Sequence, residues 1–111
     1  NVFCHAPAAP DPARETAWVN RLAPEFARYG ATPPTTLREI YTSFVADAAT
    51  QAVLLAETPP VVSFHFGLPA AGVIEALRGA GIVLLAAATS PAEGKAVAAA
   101  GIDAVVAQGY E

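Results

Sequence analysis

Short apolar runs separated by longer mixed segments indicate the strands of this chain. Residues 61–66 form a β-branched and aromatic run between a double proline and Gly67, and this run predicts a strand. Residues 82–87 and 104–108 predict two more strands. Neither of these alternates with polar residues, so both are expected to be buried on two faces, as in a parallel sheet. Residues 1–4 fit the tail of an earlier strand.

The first mixed segment carries a helical stripe with recognisable ends. Asp11 followed by Pro12 predicts a helix start, because Asp caps the first turn and proline fits the first helical position. Gly30 predicts the end of this helix, and Pro24 lies inside the pattern, where it is expected to kink or split the helix. Apolar side chains at spacings of four, four and three residues form the stripe, namely Trp18, Leu22, Phe26 and Tyr29.

Two further helix starts follow along the chain. Thr36 with Glu39 fits a capping box, which predicts a helix from this point. Ser90, Pro91 and Glu93 combine an N-cap, an N1 proline and an N3 glutamate in one start. The stripe that follows Thr36 predicts one continuous helix through Leu37, Ile40, Phe44, Ala48, Ala52 and Leu55.

A weak internal repeat supports an alternation of helices and strands. The tripeptide Ala-Gly-Ile occurs at residues 80–82 and again at 100–102, each time at a predicted helix end just before a strand. Glycine after the helix allows the left-handed turn that leads the chain into the next strand. The order is therefore strand, helix pair, strand, helix, strand, helix, strand, which is typical of parallel α/β proteins.

Both a doubly wound sheet and a (β/α)8 TIM barrel fit this order, and the compact, regular units favour the barrel, which contains about 250 residues. Four strands would form roughly half of a barrel. The chain has no Met, and both of its ends adjoin apolar runs. We therefore expect residues 1–111 to be a partial barrel domain, incomplete at both ends and poorly stable alone because its sheet edges and apolar lumen are exposed.

Composition narrows the class of protein. The chain is 54% hydrophobic and 14% charged, which excludes a disordered segment. A net charge of −4, with six scattered basic residues, argues against a nucleic-acid partner. The sequence contains neither a secretory leader nor an uninterrupted apolar stretch of membrane-spanning length, so no membrane partner is expected. One Cys suits a reducing compartment, and we expect a cytoplasmic protein. No feature of the sequence specifies an oligomeric state.

Candidate chemistry concentrates where the predicted strands end, because α/β proteins bind ligands at the carboxyl ends of parallel strands. The two His residues of the chain, His5 and His65, both follow or end a predicted strand. Imidazole suits proton transfer near neutral pH, and a core histidine bonded to the backbone is the equally weighted alternative for His65. Alternation would point His65 away from both Phe64 and Phe66.

Other residues give weaker indications. Cys4, His5 and His65 lack any metal-ligand spacing, so no metal site is predicted, and nothing brings Cys4 and His65 together as a nucleophile and base. The Gly-Ala-Gly string at residues 79–81 closes a helix and predicts a C-cap rather than a phosphate loop. Asn1 and Gln108 are amides at strand ends that can both donate and accept hydrogen bonds, which suits the edge of a heteroaromatic cofactor.

At these residues the chain resembles a known family. Residues 63–69 read Ser-Phe-His-Phe-Gly-Leu-Pro, and residues 108–111 read Gln-Gly-Tyr-Glu. Together these strings resemble the nitronate monooxygenases, formerly called 2-nitropropane dioxygenases. The resemblance covers residues 59–111 well and residues 1–30 more loosely.

The resemblance implies an FMN-dependent (β/α)8 barrel that oxidises alkyl nitronates with O2 to carbonyl compounds and nitrite. By analogy, Asn1 and Gln108, with Gly109 beside it, match residues that contact FMN, and His65 matches an active-site histidine that could hydrogen-bond the nitro oxygens. Phe64 and Phe66 would form a dry wall around it. In the family the Gln-Gly-x-Glu string runs on into the principal catalytic His, so we expect this segment alone to be inactive.

Three alternatives stay open on the sequence. A flavin barrel of the enoyl-acyl-carrier-protein reductase type would keep the framework and use NAD(P)H. A phosphate-binding barrel synthase or isomerase fits less well, because strand ends before Glu111 carry no Lys, Asp or Glu. A non-enzymatic α/β interaction domain would show a complete sheet with an apolar patch at one edge.

Overall fold

Helices and strands alternate along residues 1–109, which are the residues that the computed structural model describes. Tyr110 and Glu111, which complete the Gln-Gly-Tyr-Glu string, lie outside the described residues. In chain order the elements are β1 (Val2–Phe3), α1 (Pro12–Arg28), α2 (Ala48–Glu57), β2 (Val61–His65), α3 (Ala71–Gly79), β3 (Val83–Ala88), α4 (Pro91–Ala99) and β4 (Ala104–Ala107).

The four strands form one parallel sheet in the order β1-β2-β3-β4. Chain order and spatial order are therefore the same. A doubly wound sheet reverses its strand order at a switch point, whereas consecutive strands of a (β/α)8 barrel lie side by side as these do. The α/β class and the barrel-like arrangement predicted from the sequence are confirmed, with three strand–helix units and a fourth strand in the described part of the chain.

Helices cover one face of this sheet. Alternate strand residues point into a core that also receives side chains from α3 and α4. The core contains Val62, Phe64, Leu84, Ala86, Ile74, Leu77, Val97, Ile82 and Ile102, together with Cys4 and Phe44. The buried face of each strand stabilises the fold by removing apolar surface from water.

The expectation that β3 and β4 are buried on both faces is wrong for this chain. Along β3 buried residues alternate with exposed or half-buried ones, and along β4 all four residues are exposed. The reason is that β4 pairs with β3 alone in the described sheet, and the strand face opposite the core is not filled by α3 or α4. We call this second face, which carries Val61, Ser63, His65, Val83 and Phe3, the open face.

The two Ala-Gly-Ile repeats end helices as predicted. Gly81 and Gly101 have φ angles of +82° and +74°. After α3, Gly81 N–H donates to the Arg78 carbonyl and Ile82 N–H to the Leu77 carbonyl, and the same pair of bonds closes α4. This is the Schellman arrangement, in which the residue after the glycine packs back on the last turn. Ile82 and Leu77 are accordingly both in the core.

The structure contradicts the prediction that a helix starts at Thr36. Residues 31–47 contain no helix, and α2 begins only at Ala48. Asp47 caps α2 instead, because its carboxylate accepts hydrogen bonds from the Thr50 N–H at 3.0 Å and the Thr50 hydroxyl at 2.6 Å. Ile40, which was expected on the buried stripe, is 86% exposed. Half of residues 31–46 are β-branched or aromatic, and these residue types favour helices weakly.

The chain divides into two compact units. One contains residues 1–7 and the chain from Thr42 onwards, and the other is Ala8–Tyr41. The second unit holds α1, which starts as predicted with the Asp11 carboxylate accepting from the Arg14 N–H. α1 runs through Pro24 without being split, contrary to one of the two outcomes expected for that proline.

Candidate active site

A cavity of about 440 Å³ lies where β2, β3 and β4 end and α4 begins. Parallel strands all finish at the same edge, so the loops that follow them meet there. The lining is mostly apolar, with one amide, one hydroxyl and one carboxylate among its side chains. The residues are Phe66, Gly67, Leu68, Ala87, Thr89, Glu93, Ala96, Val97 and Gln108.

Gln108 lies in this cavity, as its position after β4 predicted. Its backbone N–H donates to the Ala88 carbonyl at 2.9 Å, which extends the pairing of β3 and β4 by one residue. The side chain is half-buried, and the exposed Gly109 follows it. Strand pairing therefore fixes where the Gln108 amide enters the cavity.

Glu93 holds the loop between β3 and α4. One of its carboxylate oxygens accepts both the backbone N–H of Thr89, at 2.6 Å, and the Thr89 hydroxyl, at 2.8 Å. Ser90 caps α4 as predicted, since its hydroxyl oxygen accepts from the Glu93 N–H. The pKa of Glu93 is lowered from its ordinary value mainly because its carboxylate accepts these Thr89 hydrogen bonds. The sequence predicted the cap, but not that the carboxylate would fix Thr89 beside the cavity.

His65 lies on the open face, outside the cavity lining. It is half-buried, and its ring meets the Phe3 ring edge-on with centroids 6.3 Å apart. The Phe66 ring is 6.4 Å from His65 and 5.3 Å from Phe3. Three aromatic rings from the ends of β1 and β2 therefore form a cluster at the carboxyl edge of the sheet.

The expected dry wall of Phe64 and Phe66 around His65 is wrong for Phe64, whereas the Phe66 ring does lie beside His65. Phe64 is fully buried in the core on the opposite face. Phe66 is 68% exposed and lies beyond the end of β2 with φ at +63°, so strand alternation does not apply to it. His65 and Phe66 consequently share the aromatic cluster, whereas the sequence pattern placed them on opposite sides.

The turn after His65 requires glycine. Gly67 has φ at +125°, and a side chain placed on it would bring a Cβ atom within 3.1 Å of the Cys4 carbonyl oxygen. The Cys4 N–H donates to the His65 carbonyl, so β1 and β2 are tied together at this point. Burial raises the pKa of the Cys4 thiol to about 11, which keeps it protonated and makes it a poor nucleophile.

Asn1 lies beside Ser63, whose hydroxyl donates to the Asn1 side-chain oxygen at 3.4 Å. It precedes β1, so the description of Asn1 as a residue at the carboxyl end of its strand is wrong. The register pairs Val2 with Phe64 and Phe3 with His65, which places Asn1 further from the carboxyl edge than His65. Asn1 and His65 share the open face, and the cavity contains Gln108.

Two remaining observations concern other kinds of site. Among residues 1–109, no three His, Cys, Asp or Glu side chains are grouped so that they could hold a metal ion. The described helices include none that is long and apolar enough to cross a membrane. The His5 carbonyl accepts a hydrogen bond from the buried Ser43 hydroxyl, so the backbone of His5 supports the fold.

Comparison with known proteins gives consistent results. The family model described as nitronate monooxygenase matches residues 1–111. The chain is 60% identical to a nitronate monooxygenase of Paraburkholderia phytofirmans and 52% identical to one of Pseudomonas aeruginosa, in each case over all of its 111 residues. It spans 30% and 32% of the length of these two relatives.

A solved structure agrees with these matches. The nitroalkane oxidase of Streptomyces ansochromogenes superposes on 97% of this chain with a TM-score of 0.75 and 38% sequence identity. The chain corresponds to 29% of that protein. The fold described above is thus similar to one part of a larger enzyme.

Proposed function

The chain belongs to the nitronate monooxygenase family, and from this premise we propose that the whole protein oxidises alkyl nitronates with O2 to carbonyl compounds and nitrite. The observation that carries the proposal is the match of the family over the entire chain, together with a cavity at the carboxyl edge that contains Gln108. Residues 1–111 are, in this proposal, part of one barrel domain.

The cavity fits the ring system of a flavin better than a charged ligand. Phe66, Leu68 and Val97 supply apolar walls, and the Gln108 amide can both donate and accept hydrogen bonds. A planar heteroaromatic ring with polar edges needs this combination. The Glu93 carboxylate is engaged by Thr89, and no cationic side chain is among the lining residues. The part of the chain described here therefore offers no cationic side chain for the FMN phosphate at the cavity.

FMN, when bound, would supply the electron-accepting chemistry of the reaction. We propose that Gln108 and Gly109 contact it from the end of β4, and that Asn1 contacts it from the open face. His65, within the aromatic cluster, would donate a hydrogen bond to the nitro oxygens of the substrate and orient it. Phe3 and Phe66 would limit the access of water to this position.

The competing functions lack comparable support. A reductase of the enoyl-acyl-carrier-protein type would use the same framework, but two relatives that match all 111 residues of this chain are named nitronate monooxygenase, and a solved structure that matches it is named nitroalkane oxidase. A binding module without chemistry would not explain why two candidate site residues predicted from the sequence, His65 and Gln108, lie at the carboxyl edge. We further propose a cytoplasmic location, in keeping with the single, free Cys4.

The test is a visible spectrum of the whole protein purified without added cofactor. We expect the absorption bands of oxidised flavin, bleached under anaerobic conditions by an alkyl nitronate and restored by O2. A protein that stays colourless after reconstitution with FMN would refute the proposal. Rapid bleaching by NAD(P)H with no response to nitronate would favour the reductase.

A variant tests the role of His65. His65→Asn should lower nitronate turnover by more than tenfold while flavin content stays unchanged, because the Asn amide does not place a donor where the imidazole N–H lies, and loss of one well-placed hydrogen-bond donor costs about 100-fold or more. His5→Asn serves as the matched control, since its backbone carbonyl, which accepts from Ser43, is retained. Equal turnover in the two variants would remove His65 from the mechanism.

A further inference from the structure

Phe66 has a backbone conformation that bulky residues avoid. Its φ of +63° lies in the left-handed region, and the following Gly67 also has a positive φ. In that region the Cβ atom of an L-residue crowds the backbone, so the conformation is costly for an aromatic residue. Residues that keep such a conformation are concentrated at ligand-binding and catalytic positions.

Burial does not account for the position of this side chain. The Phe66 ring is 68% exposed, while Phe64, two residues earlier, is completely buried and contacts the core. If the ring served the hydrophobic core, it would be expected to lose most of its exposure to water. The left-handed turn carries the ring out of the sheet and places it at the carboxyl edge.

The ring lies between the two places that hold the candidate site residues. On one side it packs on Phe3, with centroids 5.3 Å apart, and it is 6.4 Å from His65. On the other side Phe66 lines the cavity that also contains Gln108 and Leu68. Phe66 is thus a member of both the aromatic cluster and the cavity wall.

We propose that Phe66 is a specificity-determining residue whose ring contacts the alkyl chain of the substrate. A nitro group held near His65 would leave its hydrocarbon chain to follow the apolar surface of the Phe66 and Phe3 rings, on the side of Phe66 that faces the aromatic cluster. Longer apolar chains would then bury more surface and bind more tightly. This inference rests on the proposed function for the choice of ligand, and it adds which part of the site selects among substrates.

The experiment measures binding, so that its result does not depend on turnover. The whole flavoprotein, with its flavin reduced beforehand so that it cannot accept electrons from the ligand, is titrated anaerobically by calorimetry with 1-nitroalkanes from nitroethane to nitrohexane. For the unmodified protein we expect the affinity to rise by up to about fourfold for each methylene that is buried against this surface. Phe66→Ala should reduce this gain to about twofold or less, and Phe66→Leu should retain most of it, because leucine restores an apolar surface with the same backbone cost.

Two further variants guard against misfolding and non-specific effects. Phe66→Asn places a residue that tolerates the left-handed region at this position, so it should fold normally and still lose the dependence on chain length. Val53→Ala removes another exposed apolar side chain, on α2, and should leave the dependence unchanged. Thermal melting of each variant checks the fold.

The results separate the inference from the proposed function. An affinity that does not depend on chain length in the unmodified protein, or a dependence that survives in both Phe66→Ala and Phe66→Asn, would overturn the role of Phe66 whether or not nitronates are oxidised. Failure of the unmodified protein to oxidise any nitronate would instead overturn the proposed function. A gain in affinity per methylene that falls only in the Phe66→Ala and Phe66→Asn variants supports the inference.

Discussion

The Glu93 carboxylate accepts two hydrogen bonds from a single residue, Thr89, one from its backbone and one from its hydroxyl. Thr89 directly follows Ala88, whose carbonyl accepts the N–H of Gln108. Glu93 therefore fixes the end of β3 at the point where it pairs with the residue proposed to contact the flavin. Although Glu93 is exposed, its hydrogen bonds tie the loop, the start of α4 and the cavity wall together.

Replacement of Glu93 should make stability less dependent on pH. Its pKa is lowered in the folded protein from the ordinary 4.5, so the stabilisation from its charged form is complete above pH 4.5 and is lost as the pH falls through the lowered value. Glu93→Gln keeps an acceptor oxygen without the charge. We expect the variant to melt below the unmodified protein at pH 7, and the difference between the two melting temperatures to shrink as the pH falls below 4.5.

Glu75→Gln provides the control for this prediction, because Glu75 is an exposed glutamate on the neighbouring helix α3. It should shift the melting temperature little at pH 7 or at pH 3. A melting difference between Glu93→Gln and the unmodified protein that is the same at pH 7 and pH 3 would contradict the role given to the charge of Glu93.

The start of α2 should depend on Asp47 and not on Thr36. The Asp47 carboxylate accepts two hydrogen bonds from Thr50, and its pKa is lowered chiefly by the bond from the Thr50 hydroxyl. Asp47→Ala leaves the first turn of α2 uncapped and should lower the melting temperature measurably, whereas Thr36→Ala should not. Equal losses in the two variants would mean that the helix begins earlier than Ala48.

Local signals in the sequence were reliable where nothing competed with them. The two Ala-Gly-Ile strings and the Ser90 cap each determine a helix end through residues within one turn, and the structure confirms them. The prediction of a helix start at Thr36 failed because a second candidate cap, Asp47, lies eleven residues later in the chain, and the pattern does not say which cap a helix uses.

The site was harder to predict than the fold. Gln108 follows a strand, so the rule for parallel strand ends located it. The position of Phe66 depends on a left-handed turn, and the alternation that predicts side-chain direction ends where the strand ends. His65 lies on the open face and Gln108 lies in the cavity. This separation arises only in the folded structure, and the spacing of the two residues along the chain does not predict it.

A matched pair of glycine substitutions should have opposite effects on stability. Gly81 has φ at +82°, so Gly81→Ala forces a side chain into the left-handed region and should cost about 1–2 kcal/mol. Gly94 lies inside α4 with open space where a Cβ atom would be added, so Gly94→Ala should stabilise by about 0.5–1 kcal/mol. Denaturant midpoints of the whole protein measure both effects. The same sign in both variants would contradict the assignment of Gly81 to the turn.

The 111-residue chain by itself should not behave as a cooperatively folded monomer. Val61 is 50% exposed, Val83 is 47% exposed, and Phe3 and Val106 also remain partly in water. These residues lie along β1 to β4, where β1 and β4 stand at the edges of the described sheet. An exposed apolar face combined with open strand edges favours association with other chains over a stable monomer.

We therefore expect the isolated chain to show a broad thermal transition, to bind a hydrophobic dye before melting, and to associate more strongly as its concentration rises. The whole protein under the same buffer conditions should melt sharply and bind little dye, because the remaining strands of a barrel would complete the sheet and cover its apolar lumen. Calorimetry combined with light scattering distinguishes the two behaviours. A single cooperative transition of the isolated chain as a monomer would show that the helix-covered face alone, built around Phe64, Leu77 and Leu84, supplies enough buried surface to hold the fold.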